Sequence, residues 1–301
     1  MRIFKYSLIL ILIFNSCKWD RNQFEDPKLI VCTTSIIGDV VTNLVGDDIN
    51  VKILMGAGVD PHLYEAKPSD VRSMSEAKII VYNGLHLEGK LAKLFKRMEN
   101  EKIFICLSDG MNKNNLIPLN AHSYDPHVWF NVNLWAEGVR HCALQLQDLF
   151  PAHAKKIKIN CEIYINKMSK ADSEIKNQML SIPKHKRLLI TSHDAFHYFG
   201  KAYNVEVKAI QGVSTIMEPG LKDVSQLVDE ICKRNISSIF VESSVSSKSI
   251  QSVIEGCHKK NKEVEIGGTL YSDALGDESS GASTYLKMIK KNSKTIYSAL
   301  K

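Results

Sequence analysis

Short apolar runs alternate with longer segments in which apolar residues recur every three or four positions, beginning at Lys28. Runs of the first kind predict buried strands, and the second spacing predicts amphipathic helices. Near-continuous apolar strands that alternate with helices are typical of a parallel sheet covered on both faces. In the first part of the chain, strands are predicted at 29–33, 51–55, 78–82 and 103–107, and helices at 36–45, 68–77 and 87–98.

The alternation stops near residue 133 and resumes at Arg187. Between these points, the sequence predicts a helix at 134–150 and a second, amphipathic helix from Pro151 to about residue 181. The second segment has no glycine and no internal proline, so it would form one helix about 45 Å long. No sustained heptad repeat supports a coiled coil there. Further strands are predicted at 187–191, 205–210, 238–241 and 264–266, and further helices at 195–203, 221–234, 248–258 and 283–300.

The predicted architecture is therefore α/β, with two lobes joined by one long helix. Each lobe would be a parallel sheet with flanking helices, and 301 residues are enough for two such units. We expect an N-terminal α/β lobe at 28–150, a linking helix at 151–183 and a C-terminal α/β lobe at 184–301. Ligands of open α/β sheets bind beyond the carboxyl ends of the strands, and two lobes add a cleft between them.

The N-terminus differs from the rest of the chain in that a short apolar run follows a basic start. Two basic residues precede an apolar run at 6–14, which is shorter than the roughly 20 residues that a membrane-spanning helix needs. We therefore predict that 1–16 is a signal peptide. A small residue stands directly before Cys17, as in a bacterial lipobox, so we expect cleavage before Cys17 and attachment of lipid to its thiol. Residues 17–27 would then be a lipidated tether, and plain secretion is the alternative.

Composition excludes a disordered tail, a collagen-like fibre and a protein that spans the membrane several times. The chain is 44% apolar and 24% charged, which is ordinary for a soluble globular protein. Its net charge of +6 is spread without a basic block, so nothing indicates binding to nucleic acid. Six cysteines follow Cys17 and none forms a C-x-x-C pair. We expect these six to be buried free thiols rather than a disulfide framework.

The most informative motif is a repeated triplet. Asp60-Pro61-His62 and Asp125-Pro126-His127 are each followed, two residues after the histidine, by an aromatic residue. Proline fixes the backbone just before each histidine, and imidazole is a common ligand of zinc and similar metals. His62 and His127 are therefore candidate metal ligands. A pair of ordinary Asp-Pro turns is the alternative interpretation.

The second lobe offers two further candidates. His193 follows a predicted strand at its carboxyl end, and Asp273 follows the last predicted strand. His193, Asp194 and His197 resemble the zinc-peptidase motif His-Glu-x-x-His, although Asp is one methylene shorter than Glu. Taken alone, Asp273 would be a turn or helix-cap residue. Three imidazoles and one carboxylate suit four-coordinate zinc, and four protein ligands indicate that a metal is held rather than used in catalysis.

Over residues 28–301 the chain resembles the metal-binding solute-binding proteins of zinc and manganese ABC transporters, the family with the TroA-like fold. The resemblance implies that His62, His127, His193 and Asp273 bind the metal, two from each lobe. Histidine rather than glutamate at position 193 favours zinc over the harder manganese. The short segment 108–125 lacks the long His-rich loop of members dedicated to zinc, so manganese and iron stay open. The matching stretches are 58–65, 83–88, 125–129, 191–196, 212–219 and 270–275.

The resemblance also implies a function. The chain would be an extracytoplasmic substrate-binding protein, not an enzyme, that captures a divalent transition metal and delivers it to an ABC permease. It would be a monomer, exported and anchored by the lipid on Cys17, on the outer face of the cell membrane or in the periplasm. The chain has no phosphate-binding G-x-x-x-x-G-K-[ST] motif, so another protein would supply the ATPase. The alternatives are a zinc-dependent hydrolase that uses His193 and His197, with Asp194 as its base, and a surface adhesin.

Overall fold

A computed structural model describes residues 29–301. The predicted signal peptide, Cys17 and the tether therefore lie outside the described residues. Ten strands and nine α-helices are found within 29–301. The strands are β1 (Leu29–Thr34), β2 (Asn50–Met55), β3 (Ile79–Tyr82), β4 (Ile103–Cys106), β5 (Pro118–Asn120), β6 (Ser123–Tyr124), β7 (Leu188–His193), β8 (Glu206–Gln211), β9 (Ser238–Glu242) and β10 (Glu265–Leu270). The helices are α1 (Ser35–Val45), α2 (Pro68–Glu76), α3 (Ala92–Met98), α4 (Val132–Leu149), α5 (Ala154–Leu180), α6 (His197–Tyr203), α7 (Leu221–Lys233), α8 (Lys248–Lys259) and α9 (Tyr285–Leu300).

The elements before α5 form the first lobe, around a four-stranded parallel sheet in the order β2-β1-β3-β4. The two inner strands are the most apolar and are almost completely buried, whereas the edge strand β2 is largely exposed. Helix α1 begins directly after β1, where the Thr34 hydroxyl accepts a hydrogen bond from the Ile37 amide. This short connection turns the chain at the carboxyl end of the sheet.

The elements after α5 form the second lobe. Strands β7 and β8 pair in parallel, as do β9 and β10, and β9 lies beside β7. The carboxyl ends of β7, β9 and β10 therefore lie at one edge, where His193 and Glu242 end their strands. The α/β prediction of two lobes with parallel sheets and flanking helices is confirmed.

Helix α5 packs against α1 and α4 of the first lobe and against α6 and α9 of the second. It has 27 residues, so it is about 40 Å long. Its buried residues are spaced by four, three, four, three, four and four positions, so they form one stripe along the helix. Cysteine, tyrosine and alanine occupy several of these positions and make the stripe hard to see in the sequence. The buried residues are Ile157, Cys161, Tyr164, Met168, Ala171, Ile175 and Met179.

The main hydrophobic core is shared by both lobes. One continuous cluster of buried side chains reaches from Ile30 on β1, through the buried face of α5, to Leu300 at the end of α9. Two smaller clusters lie apart from it, one under α2 of the first lobe and one between α7, α8 and the sheet of the second lobe. The long helix is thus part of the core and not an exposed connection.

Several local predictions needed correction. The short antiparallel hairpin of β5 and β6 was not predicted. Helix α3 begins at Ala92 instead of residue 87, because Leu85 and His86 have left-handed backbone angles and a 3₁₀ turn precedes the helix.

The six cysteines in the described part of the chain are free, and five of them are buried. None of the helices within 29–301 is long and apolar enough to cross a membrane.

Candidate metal centre

Three loops and the end of one strand bring the predicted ligands to the cleft between the lobes. His62 lies in the loop that follows β2, and His127 follows the hairpin strand β6. His193 is the last residue of β7, and Asp273 follows β10 by three positions. Each lobe therefore contributes two of the four side chains, all from the end of a strand or the loop beyond it.

Both Asp-Pro-His triplets form the same local turn. The Asp60 Oδ1 atom accepts a hydrogen bond from the His62 amide at 2.8 Å, and the Asp125 Oδ1 atom accepts one from the His127 amide at 3.0 Å. Such side-chain-to-backbone turns are typical of aspartate, and the proline between them restricts the backbone further. Each triplet thus restricts the backbone conformation of its histidine.

The four side chains converge on one point. The Nε2 atom of His127 lies 3.3 Å from the Nε2 atoms of both His62 and His193. One ligand atom from each of the three histidines and from Asp273 lies within 4.8 Å of all the others. No second group of this kind is found elsewhere in residues 29–301. All four residues are at least 96% buried, since the most exposed, His62, has an exposed fraction of 4%.

Asp273 is the least satisfied member of this group. One carboxylate oxygen lies 3.4 Å from Nε2 of His127 and the other lies 3.4 Å from Nε2 of His193. Neither oxygen has a hydrogen-bond partner among the described residues. A buried carboxylate without hydrogen bonds is costly unless a cation compensates it. This donor set, with three imidazoles and one carboxylate, suits a four-coordinate divalent metal.

Two carboxylates hold the rings of His127 and His193 from behind. The Asp125 Oδ1 atom lies 2.7 Å from Nδ1 of His127, and the Glu242 Oε2 atom lies 2.5 Å from Nδ1 of His193. Glu242 also accepts a hydrogen bond from the His193 amide at 2.8 Å. Such partners fix the ring orientation and direct the Nε2 lone pair toward a metal. His62 has no corresponding carboxylate within the described chain.

The electrostatic environment shifts the pKa values of the three histidines in different directions. Burial, together with the neighbouring imidazoles, lowers the pKa of His62 to about 4 despite Asp273. Burial also opposes protonation of His127, but Asp125 and Asp273 outweigh it and raise the pKa of His127 to about 9. Glu242 and Asp273 likewise overcome burial and raise the pKa of His193. In the metal-free protein, His127 and His193 therefore retain protons that a bound metal has to displace.

His197 does not join the ligand group. It begins α6, whereas His193 ends β7, so the two histidines do not share a helix face as the His-Glu-x-x-His comparison requires. The ring nitrogens of His197 face Asp125 and Asp194 instead of the cleft. The sequence-based alternative of a zinc hydrolase with a His193–His197 ligand pair is wrong on this geometry.

Sequence reasoning missed Glu242 and the outer role of Asp125. Glu242 ends β9 next to β7, so the rule that sites gather at the carboxyl ends of strands was a signal that pointed to it. The sequence analysis also missed Thr215. Its hydroxyl donates to Asp60 Oδ2 at 2.6 Å and joins a loop of the second lobe to the His62 loop.

Comparison with known proteins gives consistent matches along the chain. The manganese-binding lipoprotein MntA of Bacillus subtilis is 41% identical over 273 residues, which cover 90% of this chain and 89% of that protein. The zinc-binding protein TroA of Treponema pallidum is 37% identical over 276 residues, which cover 92% of this chain and 90% of that protein. The manganese ABC transporter substrate-binding lipoprotein PsaA of Streptococcus pneumoniae is 32% identical over 284 residues, which cover 92% and 90%.

A solved structure agrees with these matches. The periplasmic zinc binding protein TroA from Treponema pallidum has a TM-score of 0.89 with this chain, at 37% sequence identity, and covers 91% of this chain and 99% of that one. These relatives are named as metal-binding proteins, and PsaA as a substrate-binding lipoprotein of an ABC transporter, so the prediction that this chain is a binding protein and not an enzyme is confirmed. The model of one family, described as ZnuA, zinc-uptake complex component A, periplasmic, matches residues 30–299. The chain belongs to this family of metal-binding substrate-binding proteins of ABC transporters.

Proposed function

We propose that the chain captures one divalent transition metal ion between its lobes and delivers it to an ABC permease. His62, His127, His193 and Asp273 are the proposed ligands. The observation that carries the proposal is their convergence, completely enclosed, around a carboxylate whose two oxygens lack hydrogen bonds. The ion is cargo, because four protein ligands leave no open position for a reacting water molecule.

Zinc is the favoured cargo. Three imidazoles and a single carboxylate form a borderline-soft donor set, which suits zinc better than the harder manganese ion. Manganese is the alternative, since relatives with comparable identity are named for manganese and for zinc.

The rest of the assignment concerns the whole precursor. In this proposal, 1–16 is removed as a signal peptide, and the lipid on Cys17 anchors the exported protein outside the cell membrane or in the periplasm. The lipoprotein names of several relatives support this part. The protein acts as a monomer, with lobes at 28–150 and 184–301 and the linking helix at 151–183. The permease and the ATPase are separate chains.

Calorimetric titration of residues 18–301, stripped of metal with a chelator, tests the proposal. Zinc and manganese are titrated separately into the wild type, His193→Ala and the control His258→Ala, which alters a half-exposed histidine on α8. We expect one tight site per chain, strong weakening in His193→Ala and no change in the control. Absence of binding by the wild type, or equal binding by His193→Ala, would contradict the proposed site.

A further inference from the structure

The half-buried side chain of His197 touches both lobes beside the ligand group. Its Nδ1 atom lies 3.2 Å from Asp125 Oδ2, and its Nε2 atom lies 3.0 Å from Asp194 Oδ1. Asp125 belongs to the first lobe, whereas His197 and Asp194 belong to the second. One imidazole thus joins two carboxylates across the boundary at which the two pairs of ligands meet.

Asp125 uses both of its oxygens. Its Oδ1 atom faces the backbone amide and Nδ1 of His127, while its Oδ2 atom faces His197. The carboxylate is completely buried. The result is a continuous imidazole–carboxylate–imidazole chain that runs from His127 at the metal centre to His197, whose side chain is 35% exposed.

We propose that His197 is a positioning residue for the metal centre. By holding Asp125 from the second lobe, it fixes the ring of His127 relative to His193 and slows dissociation of the metal. His197 does not itself bind the ion. This inference rests on the proposed function, because it describes how the ligand group is kept in register across the cleft.

A simple structural role explains the geometry less well. The backbone of the His127 loop has other supports, since the Tyr198 hydroxyl donates to the Asp125 carbonyl at 3.0 Å and Phe196 stacks on Phe130 with ring centroids 4.4 Å apart. What His197 adds is the contact with the outer oxygen of the Asp125 side chain. Without it, the carboxylate keeps His127 as its partner but loses the contact that restricts its rotation. Ligand orientation is sensitive to such outer partners.

The test compares three substitutions. His197→Asn keeps an N–H group close to the position of Nδ1, His197→Gln keeps one close to Nε2, and His197→Ala keeps neither. His258→Ala on the surface of α8 is the matched control. Zinc dissociation into excess chelator is followed by stopped flow, the cobalt-loaded proteins are compared by visible spectra, and unfolding of the metal-free proteins is followed by urea titration.

We expect His197→Ala and His197→Gln to release zinc about tenfold faster, at the lower end of the range for outer partners. Their cobalt spectra should change, while the unfolding midpoints of the metal-free proteins stay at the wild-type value. His197→Asn should restore the wild-type rate to within about twofold, because it retains the donor toward Asp125.

Three results would overturn the inference alone: wild-type dissociation by His197→Ala, failure of Asn to rescue, or a parallel loss of metal-free stability. Wild-type protein that binds neither zinc nor cobalt would overturn the proposed function, and the inference with it. Tight binding by the wild type therefore separates the two failures.

Discussion

The two Asp-Pro-His loops begin from the same local structure and end in different environments. In each loop, the aspartate accepts a hydrogen bond from the amide of its own histidine. Asp125 also holds the ring of His127, whereas the remaining oxygen of Asp60 accepts a hydrogen bond from Thr215 in the second lobe. The outer oxygen of each aspartate thus contacts the second lobe, Asp125 through His197 and Asp60 through Thr215, but only Asp125 also holds the ring of its own histidine.

The aromatic residues that end the two motifs also differ, in their burial and in the lobe that they contact. Trp129 is 1% exposed, and its indole N–H donates to the Ser272 carbonyl at 2.9 Å. The Tyr285 hydroxyl donates to the Trp129 carbonyl, so Trp129 itself contacts the second lobe at two points. Tyr64 is only partly buried, and its hydroxyl donates to Asp70 within the first lobe. The second loop belongs to the core, whereas the first lies over it.

Truncation of the aromatic residues should show the largest difference between the loops. Trp129→Ala leaves a cavity in the shared core and removes the contact with Ser272, so we expect the free energy of unfolding to fall by about 3–5 kcal/mol. Tyr64→Ala should lower it by about 1–2 kcal/mol, since less surface is buried there. Urea unfolding of the metal-free proteins measures both, and equal losses would contradict the comparison.

Removal of the histidines should give the next largest difference. His127→Ala removes a ligand and leaves Asp125 buried without its imidazole, so zinc affinity should fall by more than about 100-fold, beyond the range for outer partners. His62→Ala leaves three ligands to which water can be added as the fourth, as in open zinc sites, and about a tenfold loss is expected. Chelator competition measures both affinities. A larger loss in His62→Ala would reverse the proposed order.

The aspartates should differ more modestly. Asp125→Ala removes the carboxylate that orients the ring of His127, and we expect zinc affinity to fall about 10–100-fold. Asp60→Ala removes a turn and a contact with Thr215 but no partner of an imidazole ring, so the loss should be about threefold. The same competition assay applies. Similar losses for the two variants would show that the turn, and not the contact with the ring, is what matters.

The metal-free protein should show opposite pH effects of the two histidines. The pKa of His62 is lowered from 6.5 to about 4, so the stability linked to His62 is lost as pH falls from 6.5 toward 4. The pKa of His127 is raised to about 9, so its contribution is present below pH 6.5 and is lost as pH rises through 9. His62→Ala should flatten the acid side of the stability profile, and His127→Ala the alkaline side. Urea midpoints between pH 5 and 9 measure both slopes, and an unchanged alkaline slope in His127→Ala would contradict the raised pKa.

The fold was predictable wherever one face of an element is apolar over several residues. Strands β1, β3, β4 and β7 were found because their apolar runs are nearly continuous, while β5 and β6 have three and two residues and give no periodic signal. The start of α3 was misplaced because left-handed angles at Leu85 and His86 are set by the surrounding structure and not by hydrophobic spacing. A local hydrophobic pattern therefore does not predict backbone angles that are set by contacts distant in sequence.

The same limit applies to the candidate site. The motifs and the family resemblance selected four side chains that the structure brings together, and their role as ligands stays a prediction. Glu242 reaches His193 across 49 positions of sequence, so only the pairing of strands brings them into contact. The expected shared helix face of His193 and His197 was wrong, because a spacing of four indicates one only when a single helix contains both residues, and here β7 ends at His193.

The shared core has a consequence for the order of events during synthesis. The first strand and the last helix belong to one cluster of buried side chains, and Tyr285 on α9 binds Asp39 on α1 through its amide. Contacts between such distant parts of a chain form slowly and only after the C-terminus is available. The shared core is therefore completed only after the whole chain has been made. In the proposed function the chain crosses a membrane before it binds metal, and late completion of the core would keep it competent for translocation.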